Sequence, residues 1–205
     1  DHLYTCTAWS IIAEHSDLLV AFGGIPLKNG QIVQGGGGRH IQRDALLHAH
    51  DQGVGFVNVS PLRDDLLEDV EAKWLSLRPC SDTALILGLC HTLHAEGLED
   101  KAFLDRYTEG HEPFRAFLDG TTDGIPKLAV WAARLCGLPA ERIRDLARRM
   151  ARGRTMISVS WSLTRQHHGE QPFWAAIALA AMLGQIGLPG GGIGFGYSAV
   201  NSVGN

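Results

Sequence analysis

The chain has 205 residues, 45% of them hydrophobic and 20% charged, and a formal net charge of -4. That balance excludes a disordered polymer and a basic nucleic-acid-coating protein, and a chain of this length buries roughly 70% of its unfolded surface, enough for a core without metal or disulfide staples. No apolar run approaches the ~20 residues of a membrane span; the longest, Trp174 to Leu183, is alanine-rich and flanked by polar groups.

In chain order, Leu18 to Phe22 is a short apolar run closed by Gly23-Gly24 and reads as a buried strand. A glycine-rich loop, Gly23 to Gly38, follows it. From about His40 to Gln52 the pattern is helical, with Ile41, Ala45 and His48 on one face and Gly53 where a helix ends. Gly55 to Val59 is a second strand. Strand, loop, helix and strand in succession are the grammar of a parallel sheet with crossover helices. Ser60-Pro61-Leu62-Arg63 and an acidic stretch lead to Trp74–Arg78, a third short strand closed by Pro79. Ser81 is placed to cap a helix running to about Glu96, with Leu85, Leu89 and Leu93 as its stripe. Further helices are expected at Lys101 to Tyr107, at Lys127 to Cys136, and from near Pro139 to Gly153. The last of these turns Ile143, Leu146, Ala147 and Met150 inward and six arginines, from Arg142 to Arg154, mostly outward. Thr155 to Ser160 is a strand, and Gln171 to Leu183 a mostly buried helix that leads into a second glycine-rich stretch from Gly184. The fold class is therefore α/β, a Rossmann-like parallel sheet with flanking helices.

The four cysteines, Cys6, Cys80, Cys90 and Cys136, lie far apart without a C-x-x-C pair, so four unpaired thiols are expected and no metal site. His40, His48 and His50 lack a third ligand and read as surface residues. The chain opens on Asp1 and stops inside a glycine-rich stretch, and is expected to be one internal α/β unit, residues 1–205, of a longer polypeptide.

Three loops follow strands: Gly23 to Gly38, Ser60 to Asp65, and Trp161 to Gly169. In an open parallel sheet, ligands bind beyond the carboxyl ends of the strands, so these loops share one candidate crevice. Glycine lets a backbone approach phosphate closely, and a helix start adds amide donors. There is no G-x-G-x-x-G after the first strand and no G-x-x-x-x-G-K-[ST], so the standard dinucleotide and P-loop fingerprints fail. Asp82 has two readings, a helix-start residue suited to the dipole or a carboxylate accepting from a purine edge. Arg165, Gln166, His167 and His168, at a strand end, suit a negatively charged ligand. No nucleophile–base triad or metal-carboxylate cluster can be assembled.

The string Arg154-Thr-Met-Ile-Ser-Val-Ser-Trp-Ser-Leu-Thr-Arg-Gln-His-His-Gly-Glu-Gln171, followed by Ala180-Ala-Met-Leu-Gly-Gln-Ile-Gly-Leu-Pro-Gly-Gly-Gly192, resembles the molybdopterin oxidoreductases. The likeness is strongest to the branch that reduces S-oxides and N-oxides, which includes dimethyl sulfoxide, trimethylamine N-oxide and biotin sulfoxide reductases. Ser81 to Leu85, Leu87 to Leu89, Lys101 to Leu104 and Asp123-Gly124 fit the same family in the same order. The resemblance implies an internal part of a larger molybdopterin oxidoreductase fold, helping to hold molybdenum bis(molybdopterin guanine dinucleotide). Position by position it implies that Gly23, Gly24, Pro26, Lys28 and Asn29 run near phosphate and pterin, and that Ser60, Pro61 and Arg63 form the segment after the second strand. It further implies that Cys80, Ser81 and Asp82 hold guanosine, and that Trp161, Ser162, Arg165, His167 and Gln171 lie against the pterin. The family often has Gly where this chain has Cys80, and Asp where it has Ser60.

The activity so implied is a metal centre cycling between +4 and +6 while the substrate oxygen leaves as water, with the cofactor doing the hard step. In that branch a serine ligates the metal from a segment that precedes Asp1 in family order, so no catalytic residue and no metal ligand is assigned here. The expected partners are a small S-oxide or N-oxide, an electron donor and the rest of the polypeptide, in a prokaryotic protein of the cytoplasm or periplasm. Two alternatives stay open: a nicotinamide-dependent dehydrogenase-like domain, or a non-catalytic nucleotide-binding module.

Overall fold

The computed structural model describes residues 7–30 and 40–197. Its centre is a five-stranded sheet of β1 (Leu18–Phe22), β2 (Gly55–Ser60), β3 (Lys73–Ser76), β4 (Thr155–Val159) and β5 (Gly192–Phe195), in the order β3-β2-β1-β4-β5. Every adjacent pair is parallel, with Val20 of β1 opposite Val57 of β2 and Ile157 of β4. β1 is aliphatic or aromatic at all five positions because both its faces are covered. Leu18, Val20 and Phe22 join the larger core, and Leu19 and Ala21 the smaller one on the opposite face.

The larger core is roofed by α3 (Asp82–Ala95), α4 (Lys101–Tyr107), α5 (His111–Leu118), α6 (Ala129–Cys136), α7 (Ala140–Arg152) and α8 (Gln171–Met182). The smaller is covered by α1 (Trp9–His15) and α2 (Gln42–Asp51). α3 packs against α6, α7 and α8 together, which is why apolar residues extend well beyond its leucine stripe. α7 is amphipathic as expected: Ile143, Leu146, Ala147 and Met150 are buried. Outward, Arg148 pairs with Glu96, Glu141 and Asp145, and Arg144 with Glu141. Among the described residues no helix is long and apolar enough to cross a membrane.

Several local expectations are corrected. α2 turns Gln42, Leu46 and Ala49 inward, whereas Ile41 and His48 are exposed and Ala45 half-buried. Gln42 wins the inward place because its amide donates to the Ile25 carbonyl at 3.2 Å. Ser81 precedes α3 but does not cap it; its hydroxyl donates to the Arg78 carbonyl instead. Lys127 is not helical: it is buried, bonded to Asp123 at 2.7 Å and held 4.0 Å over the Phe117 ring. β3 runs Lys73–Ser76, ending before Leu77, and the acidic stretch folds into the short turns Arg63–Asp65 and Glu68–Val70.

Three elements carry weak local signals. α1 starts at Ala8 without a side-chain cap or an acidic first turn. α5 starts after Gly110, at φ 81°, and contains Pro113, residues that individually read as breakers. β5 is half glycine and is ordered by its parallel register with β4. Cys80, Cys90 and Cys136 are free thiols, and no group of metal-ligating residues occurs among the described residues; Cys6 and the loop positions 31–39 lie outside them.

Candidate functional site

The sheet order reverses at β1, whose connection to β2 runs one way while β4 lies on the other side, so the carboxyl ends of β1 and β4 border the natural crevice. The loops there are locked together by backbone. Gly23 N–H donates to Val59 O at 2.9 Å, Ser160 N–H to Phe22 O at 2.9 Å, and Ile25 N–H to Asp65 O at 2.6 Å. Gly23 and Gly24 have φ of 79° and 72°, and a Cβ would stand 2.4 Å from Leu163 Cδ1 at Gly23 and 2.4 Å from Asp65 O at Gly24. Only glycine fits this junction.

Between the first two loops and the β2–β3 edge lies a cleft of about 660 Å³, bounded by Pro26, Lys28, Asn58, Arg63 and Trp74, with Asp64, Glu68 and Glu71 as its carboxylates. Asn58 is a polar residue inside β2. Its Nδ2 donates to the carbonyls of Leu62 at 3.3 Å and Arg63 at 3.0 Å, which fixes the amide, while Oδ1 is buried with no partner among the described residues. Trp74 Nε1 donates to Ser60 O at 2.9 Å, and the Ser60 hydroxyl donates to Asp65 and accepts from Leu62 N–H. Ser60 is thus spent on shaping the turn.

After β4, the Trp161 ring packs against Phe173 and Phe195 at 6.1 and 6.0 Å, leaving its Nε1 buried and without a partner among the described residues. Ser162 Oγ lies 3.0 Å from Ser160 Oγ. Arg165, His167 and Gln171 are exposed on the same segment, where the His167 and His168 rings are 3.8 Å apart and His168 takes φ 57°.

The third segment stands beyond the edge strand β3. Cys80 is exposed at φ 63°, the left-handed region that glycine occupies without cost. Asp82 opens α3 and is buried, and that burial pushes its carboxyl up to about 6, opposed by its own backbone amide.

Of the residues singled out in the sequence, Pro26, Lys28 and Arg63 line the one cleft. Gly23 faces Ser162, joining the first loop to the third. Gly24, Asn29, Ser60 and Pro61 belong to the same loops but are not on the cleft wall, and Cys80, Ser81 and Asp82 form a separate turn. Asn58 and Trp74 were not singled out. The available signal was an amide within the otherwise apolar strand Gly55 to Val59.

The family model "Molybdopterin oxidoreductase" matches residues 2–204. The chain is similar to a biotin sulfoxide reductase of Cereibacter sphaeroides, 51% identical over 94% of the chain and 26% of the relative, and to a dimethyl sulfoxide/trimethylamine N-oxide reductase of the same organism, 45% identical over 95% and 24%. A trimethylamine-N-oxide reductase of Haemophilus influenzae is 40% identical over 95% of the chain and 24% of its own length. The chain therefore spans about a quarter of the curated relatives it matches. Its fold is also that of part of the acetylene hydratase from Pelobacter acetylenicus, with a TM-score of 0.65 over 88% of this chain and 24% of that one, at 23% identity. A parallel sheet with its loops locked at the carboxyl edge, a family match across nearly every residue and relatives this similar establish that the chain belongs to the molybdopterin oxidoreductase family.

Proposed function

We propose that this region grips molybdopterin guanine dinucleotide in a molybdenum bis(molybdopterin guanine dinucleotide) enzyme that reduces S-oxides or N-oxides. The observation that carries the reading is the donor and acceptor set of the cleft. Lys28 and Arg63 supply cations, Asp64, Glu68 and Glu71 supply acceptors, and the fixed Asn58 has an Oδ1 with no partner among the described residues. A ligand with anionic oxygens and ring N–H donors matches that set, and a pterin dinucleotide has both.

In this reading Lys28 and Arg63 hold phosphate, and Asn58 Oδ1 accepts a ring N–H. The bare backbone at Gly23 and Gly24 brings the first loop close. Pro26 and Pro61 stiffen the flanking turns, Asn29 and Ser60 complete them, and Cys80 and Ser81 present the turn before Asp82. Asp82 accepts from the guanine ring N–H and amino group; a desolvated carboxyl with no ion pair among the described residues is poised for such donors. Trp161 Nε1, Ser162, Arg165, His167 and Gln171 supply donors to pterin oxygens. When bound, the cofactor supplies two-electron oxygen-atom transfer, with the substrate oxygen released as water. The names of the relatives support the substrate class.

The test is metal analysis and nucleotide release on the full-length natural protein. Molybdenum together with a guanine nucleotide is the expected result, and nicotinamide dinucleotide with no metal would overturn the reading.

A further inference from the structure

On the helical face away from the cleft, α4, α5 and α8 border a second cavity of about 220 Å³, room for roughly seven water-sized groups. Leu104, Phe114, Ala178 and Met182 contribute its apolar wall, and the exposed Trp174 stands at its mouth. One charged side chain on this wall is almost wholly withdrawn from water: Glu99, 1% exposed. Its Oε1 is 3.3 Å from His94 Nδ1, whose ring faces Asp119 on the other side, while Oε2 is buried with no partner among the described residues. A carboxylate oxygen out of water without a donor is costly, and the low local dielectric strengthens whichever donor reaches it.

Arg115 also lines the cavity, and its Nε likewise has no partner among the described residues, but Glu112 answers the guanidinium charge at 2.8 Å. Glu109 adds a second carboxylate on the lining, and His111, also on it, faces Glu112 at 3.3 Å. The charge balance at the cavity thus favours a cation over an anion, and the Phe114 and Trp174 rings suit a cation as well.

We propose that this cavity binds a small alkylammonium ion, its N–H donated to Glu99 Oε2 and its hydrocarbon body laid on the Leu104, Phe114 and Met182 wall. The site is separate from the cofactor cleft and stands whether or not that cleft holds a pterin.

Calorimetric titration of the full-length protein with hexylammonium, 1-hexanol and hexanoate tests it. Hexylammonium should bind about tenfold tighter than the alcohol, the difference one charge-assisted bond makes, and hexanoate should not bind. Glu99→Gln should erase the preference while leaving the alcohol's affinity, and Ala178→Leu, which fills the cavity, should weaken both. Equal affinities, a preference for hexanoate, a preference that survives Glu99→Gln, or no binding of any probe would overturn the proposal. If Glu99→Gln does not fold, undiminished hexylammonium binding by Ala178→Leu would do the same.

Discussion

Asp82 is where a single residue's chemistry can be separated from its place in a helix. As a helix-start carboxylate it contributes only ~0.3–1 kcal/mol through the dipole, and burial raises its protonation midpoint to about 6. With the folded value above the unfolded one, the folded state holds the proton more tightly. The stability gained by holding this proton is therefore full below the ordinary aspartate range and is lost as pH rises from about 4 through about 6. Asp82→Asn should remove that slope, leaving the cofactor-free full-length protein more stable at pH 7 by an amount on the order of 2 kcal/mol, as followed by melting between pH 4 and 7. The same change sets an amide donor against guanine donors and should sharply lower guanine nucleotide content. Unchanged nucleotide content would reduce Asp82 to a helix-start residue. The neighbouring Cys80 is an exposed side chain in the left-handed backbone that glycine would take freely.

At the scale of elements, the junction of the β1 and β4 loops is held by the absence of a side chain. In Gly23→Ala the new Cβ would stand 2.4 Å from Leu163 Cδ1 and 2.8 Å from Ser160 Cβ, at a φ of 79°. Left-handed strain of roughly 1–2 kcal/mol and overpacking of roughly 1–3 kcal/mol both oppose it. The expected outcome is a lower melting temperature together with a lower cofactor content, since the same loop would run beside cofactor phosphate. A variant that melts like the parent would show that the two loops can part without loss.

For the whole molecule, the chain covers about a quarter of its relatives, and no residue in it is assigned as a metal ligand. The 205 residues expressed alone are expected to show no sulfoxide or N-oxide reductase activity, because they span only about a quarter of the reductases they resemble. Turnover of either substrate by the isolated chain, measured with a reduced viologen as donor, would refute this.

What the sequence determined by itself is the grammar of the sheet and the family. β1, β2, β4, α4 and the inward face of α7 were legible because each is a local pattern, an apolar run between turn residues or a stripe at helical spacing. The family was legible because long strings around β4 and α8 match it. Tertiary structure decided the rest. Ile41 lost the inward face of α2 to Gln42 because a carbonyl of the first loop needed a donor, a demand invisible from spacing. β5 is a strand only because β4 offers it a parallel ladder, and α5 forms despite Gly110 and Pro113 because its apolar residues join the larger core. Asn58 lies within an apolar run in one dimension. In three, the carbonyls of Leu62 and Arg63 accept from its amide, and its oxygen is left out of water without a partner among the described residues, in a side chain that lines the cleft.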